Sequence, residues 1–226
     1  MGKMKSKLTV LLMVVFCTGV LIPTALAKPD KVDGYNVPSG RIPQTIKDNR
    51  YPRTYFPNTE KLAQDEMRIT ALGTGMPNQS PSNVAACFLV ELGNGDSFLF
   101  DVGTGATDRL AGIEPDYSKL DKVFISHLHT DHCGDIAGLW VGGWLNGRYT
   151  QLQVYGPSGS SPELGTKVHV DHIRSAWAWD VTSRAGTLPN AGGEIVAHEF
   201  DFSKTAVIYN KNGVEITSFP AIHIRD

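Results

Sequence analysis

Four residues that commonly bind metal ions lie within six positions of the chain: His127, His129, Asp131 and His132. They directly follow the apolar run at 123–125, which predicts a buried strand. Side chains two positions apart on extended backbone point to one side, so His127 and His129 can bind one ion. Asp131 and His132 come where the chain turns and can face a second ion. Imidazole and carboxylate ligands without thiolate pairs favour Zn(II) over Fe or Mn.

We call residues 127–132 the histidine motif. An alternative explanation is a polar loop in which Asp131 only caps the next helix. That explanation would suit a single histidine in a loop. Four such residues packed into one string favour the metal site instead.

The elements predicted around the motif alternate between strands and helices, which indicates an α/β fold. Apolar patterns and turn residues predict strands at 66–72, 85–92, 97–102, 120–126, 152–155, 194–200, 206–209 and 214–219, and helices at 104–111, 135–145 and 163–178. The motif therefore lies where a strand gives way to a helix, which is a common place for a site in such folds. Trp140 and Trp144 share one face of the helix at 135–145. We expect one to pack in the core, and the other could line an apolar substrate pocket.

The motif resembles the signature of the metallo-β-lactamase fold superfamily. Residues 70–77 (TALGTGMP) and 98–105 (FLFDVGTG) resemble the strand-and-glycine turns that precede the signature in the ribonuclease Z and arylsulfatase-like branches. The resemblance extends from about Met67 to the end of the chain. It implies an αββα sandwich that carries a binuclear zinc hydrolase.

The resemblance also implies roles for individual residues. His127, His129 and His223 would bind the first zinc ion, because residues 218–223 resemble the segment that supplies the family's third histidine. Asp131 and His132 would bind the second ion. Asp131 is also the predicted catalytic residue, which would orient the attacking water.

Two further aspartates adjoin this predicted site. Asp101 resembles the family's aspartate that supports the metal-binding loop, or it is a turn residue that bonds its own backbone. Asp135 could bond a ligand histidine or favour the dipole at the start of its own helix. Cys133 could be a metal ligand or redox-sensitive, although a small packed side chain is the simpler interpretation.

The family's sandwich needs more strands and helices, a later aspartate that bridges the metals and a final histidine. The chain ends at Asp226 without them. We therefore expect only the N-terminal half of the sandwich to be present, and we expect this half alone to be inactive.

The N-terminus predicts an export signal, with a membrane anchor as the alternative. Lys3, Lys5 and Lys7 precede an apolar run and the small-residue end Ala25-Leu26-Ala27, which is typical of a secretory signal peptide. We predict cleavage after Ala27, no membrane anchor afterwards, and a periplasmic or secreted protein. Residues 28–65 are predicted to form an irregular arm, and residues 66–226 a metallo-β-lactamase-like domain.

The net charge of the cleaved chain and its predicted export both indicate the class of substrate. Removal of the three lysines of the signal peptide leaves 18 basic and 23 acidic residues, a formal charge of −5. This balance disfavours nucleic acid as a partner, and export disfavours tRNA. We therefore expect a small-molecule phosphate or sulfate ester as substrate. Lactone or β-lactam hydrolysis and a non-catalytic metal-binding module are the alternatives, and the oligomeric state is left open.

Overall fold

The structure is a computed structural model, and it describes residues 31–32, 35–36, 62–75, 77–78 and 80–223. The chain divides into two compact units, residues 1–53 and 54–226. In the first unit, strands β1 (Lys31–Val32) and β2 (Tyr35–Asn36) form an antiparallel pair within the arm that we expected to be irregular. The predicted signal peptide, residues 1–27, lies outside the described residues.

A six-stranded sheet forms the centre of the second unit. Its strands are β3 (Met67–Gly73), β4 (Cys87–Leu92), β5 (Ser97–Phe100), β6 (Lys122–Phe124), β7 (Leu152–Pro157) and β8 (Ile195–Phe200), in that order. The first three strands pair antiparallel, and β5 to β8 pair parallel. Strands β9 (Ala206–Lys211) and β10 (Val214–Ser218) form a separate antiparallel hairpin.

Helices connect the parallel strands. They are α1 (Ala106–Gly112), α2 (Thr130–Cys133), α3 (Gly143–Leu145), α4 (Thr166–Ala176) and α5 (Ala178–Arg184), with a π-helix at Gly138–Gly142 directly before α3. Short 3-10 turns occur at Tyr117–Lys119, Pro162–Leu164 and Asn190–Gly193. Among the described residues, no helix combines the length and the apolar composition that crossing a membrane requires.

The two faces of the sheet have different partners. One face packs against the helices in a large aliphatic core that includes Leu99, Val123 and Trp140, all of which are at most 1% exposed. The other face carries an aromatic layer that is partly covered by the β9–β10 hairpin. Phe124 stacks on Tyr155 there, with ring centroids 4.6 Å apart. This alternation follows from the two-residue period of strands.

The elements predicted from the sequence match those observed, with shifts of a few residues at their ends. The helix predicted at 163–178 begins later, at Thr166, and α5 after it was not predicted. The helix predicted at 135–145 contains the π-helix, a distortion that is frequent at functional sites.

Candidate metal centre

Backbone hydrogen bonds hold the histidine motif against the end of β5. Val102 N donates to His132 O at 2.8 Å, and Ala86 N donates to Asp131 O at 3.0 Å. Gly103 lies between these contacts, and a Cβ atom at its position would stand 2.0 Å from Asp131 O. Only glycine fits such an approach of two backbones. The motif is therefore fixed to the sheet by main-chain contacts.

Three histidines converge on one point. His127 and His129 follow β6, and His223 follows β10. Each of the three offers a ligand atom, and these atoms all lie within 4.8 Å of one another. His127 Nε2 and His129 Nδ1 are 3.0 Å apart. The structure thus brings together residues that are almost 100 positions apart in the sequence, as the family resemblance implied.

Asp131 and His132 form a buried pair beside this group. Each is 8% exposed, and His132 Nε2 lies 3.4 Å from Asp131 Oδ2. The rings of His127 and His132 are 4.1 Å apart, measured between centroids. All five predicted ligands therefore gather in one region, as a three-histidine group and an adjacent aspartate–histidine pair.

Asp101 supports the pair from behind. Its backbone has a φ of 58°, which is uncommon for a residue with a side chain and turns the chain sharply at the end of β5. Its Oδ2 lies 2.7 Å from His132 Nδ1, and its Oδ1 accepts a hydrogen bond of 2.7 Å from Ser126 N. Asp101 therefore bonds the residues next to the proposed metal position and not its own turn.

Ser126 is the residue that sequence reasoning missed. Its Oγ lies 2.9 Å from Asp101 Oδ2, 3.1 Å from His127 Nδ1 and 3.3 Å from His132 Nδ1. The available signal was a hydroxyl residue placed directly before the first histidine of the motif.

The surroundings favour neutral imidazole at His127. Burial lowers the pKa of His127 to about 4; the rings of His132, His129 and His223 add to this shift, and Asp101 opposes it. Histidine binds a metal in its neutral form, so this ring needs no deprotonation at neutral pH.

Cys133 behaves as a packed side chain. Burial raises the pKa of its thiol to about 11, with smaller contributions from Asp101 and Asp131. Its Sγ donates to His129 O at 3.2 Å. A protonated, hydrogen-bonded thiol is a poor metal ligand, which supports the simpler of the interpretations given above.

In the described part of the chain, the carboxylate of Asp135 bonds neither a ligand histidine nor the start of its own helix, the two roles considered from the sequence. Its Oδ2 accepts hydrogen bonds from Thr107 N at 3.0 Å and from Thr107 Oγ1 at 2.9 Å. It therefore caps the start of α1 and joins that helix to the turn that follows the histidine motif.

The two tryptophans are both buried, at 1% exposure each. Trp144 Nε1 donates to Pro189 O at 2.9 Å. Trp140 lines a cavity of about 500 Å³ together with residues of α4, α5 and β8, and no residue of the histidine motif lines that cavity. We therefore do not assign either tryptophan to a substrate pocket at the metal centre.

The donor atoms fit zinc. A tetrahedral ion with Zn–N bonds of about 2.0–2.1 Å places neighbouring ligand atoms roughly 3.3 Å apart. The His127–His129 separation of 3.0 Å and the Asp131–His132 separation of 3.4 Å both lie close to that value. Imidazole and carboxylate are the ligands that this ion takes in hydrolases.

Several known proteins are similar to this chain. The family model described as Anti-Pycsar protein Apyc1 matches residues 67–157. Ribonuclease Z of Mycobacterium marinum is 30% identical over 162 residues, which cover 70% of this chain and 54% of that protein. Ribonuclease Z of Bacteroides fragilis is 28% identical over 158 residues, covering 70% and 46%. The chain thus spans about half the length of the curated relatives it matches.

A solved structure shows the shared fold. The crystal structure of human tRNase Z, short form, superposes with a TM-score of 0.51 at 20% identity, covering 67% of this chain and 57% of that one. The prediction of an α/β metallo-β-lactamase fold is therefore confirmed.

The relatives also correct one prediction. We expected a small-molecule ester as substrate and disfavoured nucleic acid, and that expectation is wrong, because these relatives are ribonucleases. The error came from the formal charge of −5, which averages over the whole chain. Binding of phosphates depends instead on where individual cations lie. The chain thus has the metallo-β-lactamase fold and is similar in sequence to ribonuclease Z, as the resemblance of its motifs predicted.

Proposed function

We propose that this protein is a metal-dependent phosphodiesterase that hydrolyses RNA and uses two zinc ions. The observation that carries the proposal is the gathering of three histidine ligand atoms within 4.8 Å, beside the buried pair of Asp131 and His132. Relatives named ribonuclease Z supply the substrate class. The chain spans about half the length of those relatives, so the activity of the whole protein is part of this proposal.

The proposed ligands divide into two sets. His127, His129 and His223 would hold the first zinc ion, and Asp131 and His132 the second. Bound zinc lowers the pKa of a coordinated water and polarises the phosphoryl group. The protein contributes the fixed directions of the donor atoms and the main-chain contacts that hold them.

Asp131 has a second role in this proposal. Its buried carboxylate lies 3.4 Å from His132 Nε2, and in this proposal it would accept a hydrogen bond from the attacking water. Such an acceptor sets the direction of attack on phosphorus. We therefore assign Asp131 both as a ligand and as the group that orients water.

Export remains part of the proposal. In this proposal the chain is cleaved after Ala27 and exported. The basic start and the small-residue end of residues 1–27 support this location.

The first experiment measures zinc. We expect the parent chain to bind zinc weakly but stoichiometrically in a competition titration, and His129→Ala to lose it. His172→Ala is the matched control, because His172 is an exposed histidine of α4 outside the ligand group. Unchanged zinc binding by His129→Ala would show that the ligand assignment is wrong.

The second experiment measures hydrolysis. The protein, loaded with zinc, is assayed on RNA, bis(p-nitrophenyl) phosphate, a lactone and nitrocefin. We expect cleavage of RNA and of the phosphodiester. Turnover of the lactone or nitrocefin alone, or no turnover with zinc bound, would contradict the proposal.

A further inference from the structure

One buried carboxylate is linked to both halves of the proposed metal centre, directly to one and through a hydroxyl group to the other. Asp101 is 9% exposed and touches His132 directly, with 2.7 Å between Oδ2 and Nδ1. It reaches His127 through Ser126, whose Oγ lies 2.9 Å from Asp101 Oδ2 and 3.1 Å from His127 Nδ1. Asp101 and Ser126 belong to neighbouring parallel strand ends, so the sheet fixes their separation.

The direction of each proton can be assigned by counting donors and acceptors. An ionised carboxylate only accepts hydrogen bonds, and a hydroxyl has one proton to donate and two lone pairs. The Ser126 hydroxyl therefore donates to Asp101, because a charged acceptor forms the stronger bond. Its oxygen then has a lone pair for a proton on His127 Nδ1.

His132 follows the same logic. Its Nδ1 lies 2.7 Å from Asp101 Oδ2 and 3.3 Å from Ser126 Oγ, so its proton goes to the nearer and charged oxygen. Both rings then carry their proton on Nδ1. The lone pair of each Nε2 is left facing the proposed metal positions, towards His129 Nδ1 for His127 and towards Asp131 Oδ2 for His132.

The other tautomer would block the centre. A proton on His127 Nε2 would point at His129 Nδ1, which is 3.0 Å away, and the two rings would then bond each other. A zinc ion would have to displace this hydrogen bond before it could bind. The acceptor behind His127 disfavours a hydrogen bond in that direction in the metal-free chain.

We propose that Asp101 and Ser126 form a relay that sets the tautomers of His132 and His127 together, so that one carboxylate prepares both ligand sets. Ser126 is a positioning residue, which acts on the metal only through His127. The use of the relay for zinc rests on the proposed function. The tautomers themselves are a property of the metal-free chain and are testable without it.

The test is nuclear magnetic resonance of the metal-free full chain with ¹⁵N-labelled histidine. Spectra are recorded at about pH 8, where an ordinary histidine is neutral, and long-range proton–nitrogen couplings then identify the tautomer of each ring. We expect Nδ1–H for His127 and His132. Ser126→Ala should move His127 towards Nε2–H and leave His132 unchanged, because Asp101 still accepts from His132.

Two further variants separate the relay from a general structural role. Ser126→Thr keeps the hydroxyl and should restore the parent spectrum. Ser203→Ala is the matched control, since Ser203 Oγ donates to Asp201 Oδ1 at 2.6 Å in an exposed turn elsewhere. In zinc competition, Ser126→Ala should bind about tenfold more weakly or worse, whereas Ser126→Thr and Ser203→Ala should match the parent.

An Nε2–H form of His127 in the parent would refute the relay. This measurement does not need the variant, so it stands even if Ser126→Ala fails to fold. An unchanged His127 tautomer in folded Ser126→Ala also refutes it. Expected tautomers in a protein that does not bind zinc would instead refute the proposed function and leave the relay in place.

Discussion

Replacing Gly103 with alanine should damage the fold and the metal centre together. A Cβ atom there would lie 2.0 Å from Asp131 O, 2.5 Å from Asp131 C and 2.7 Å from Ala85 Cβ. Contacts between carbon and a carbonyl oxygen are normally about 3.3–3.6 Å. The backbone of Asp131 would therefore have to move by roughly 1.3 Å, and no rotamer change relieves it because the nearest atoms are main chain.

The size of the effect follows from what that movement breaks. Overpacking alone costs about 1–3 kcal/mol. The bonds from Ala86 N to Asp131 O and from Val102 N to His132 O would also be lost or lengthened, at about 1 kcal/mol each. We expect Gly103→Ala to lower the free energy of unfolding by about 3–5 kcal/mol. Ligand positions in a metal site tolerate errors of only about 0.5 Å, so zinc affinity should also fall.

Gly112→Ala is the matched control for this measurement. Gly112 ends α1, and nothing lies within 4 Å of the position where its Cβ would be. Alanine there should be neutral or stabilise by up to about 1 kcal/mol. Both variants are compared with the parent by urea unfolding and by zinc titration. If Gly103→Ala matched Gly112→Ala in both, the close backbone approach could not be what fixes the histidine motif.

Three other predictions test different parts of the molecule. Arg148 is fully buried and donates to the carbonyl oxygens of Trp140, Thr150 and Gly192, so Arg148→Met should lower the free energy of unfolding by about 3 kcal/mol or more. The control Arg184→Met, which removes a surface ion pair, should change the free energy of unfolding by less than about 1 kcal/mol. Equal urea midpoints for Arg148→Met and Arg184→Met would contradict the prediction for Arg148. Removing zinc with a chelator should lower the free energy of unfolding by about 3 kcal/mol when free zinc had been 100 times its Kd, and His129→Ala should show no such difference. After expression with export, N-terminal sequencing should begin at Lys28, and an intact start at Met1 would contradict the predicted signal peptide.

The sequence predicted the ligand candidates because their chemistry is local. Residue types and a two-residue spacing were enough to single out His127 and His129, since extended backbone fixes where neighbouring side chains point. The strands were predictable for the same reason, because each carries its own apolar pattern. His223 needed the family resemblance, since nothing in its local pattern indicates which distant residues it meets.

Ser126 and Asp135 show where local reasoning ends. From the sequence, Ser126 is an ordinary hydroxyl residue at a strand end. Its role depends on Asp101, which lies beside it only in the folded chain. The sequence places Asp135 at the start of the helix predicted at 135–145, whereas its carboxylate caps α1. Both contacts join residues more than 20 positions apart, and such pairs depend on the order of strands in the sheet.

The wrong substrate prediction has a comparable cause. Net charge is a sum over the chain and carries no information about where cations lie, so it is a weak guide to the partner of an enzyme with a small site. The histidine motif, in contrast, specifies a site. The relatives then indicated the substrate class, which neither composition nor geometry had determined.

The parallel pairing of β5 and β6 explains why one carboxylate can serve two ligand sets. Leu99 pairs with Val123 and Phe100 with Phe124, so Asp101 and Ile125 stand at the same end of adjacent strands. Strands about 4.8 Å apart bring the side chains that follow them within hydrogen-bonding range. α1 forms the connection that makes the parallel pairing possible, and Asp135 caps that same helix. The helix that connects the strands is thus bonded to a residue three positions after the histidine motif, so loss of the Asp135–Thr107 hydrogen bonds should disturb the metal centre.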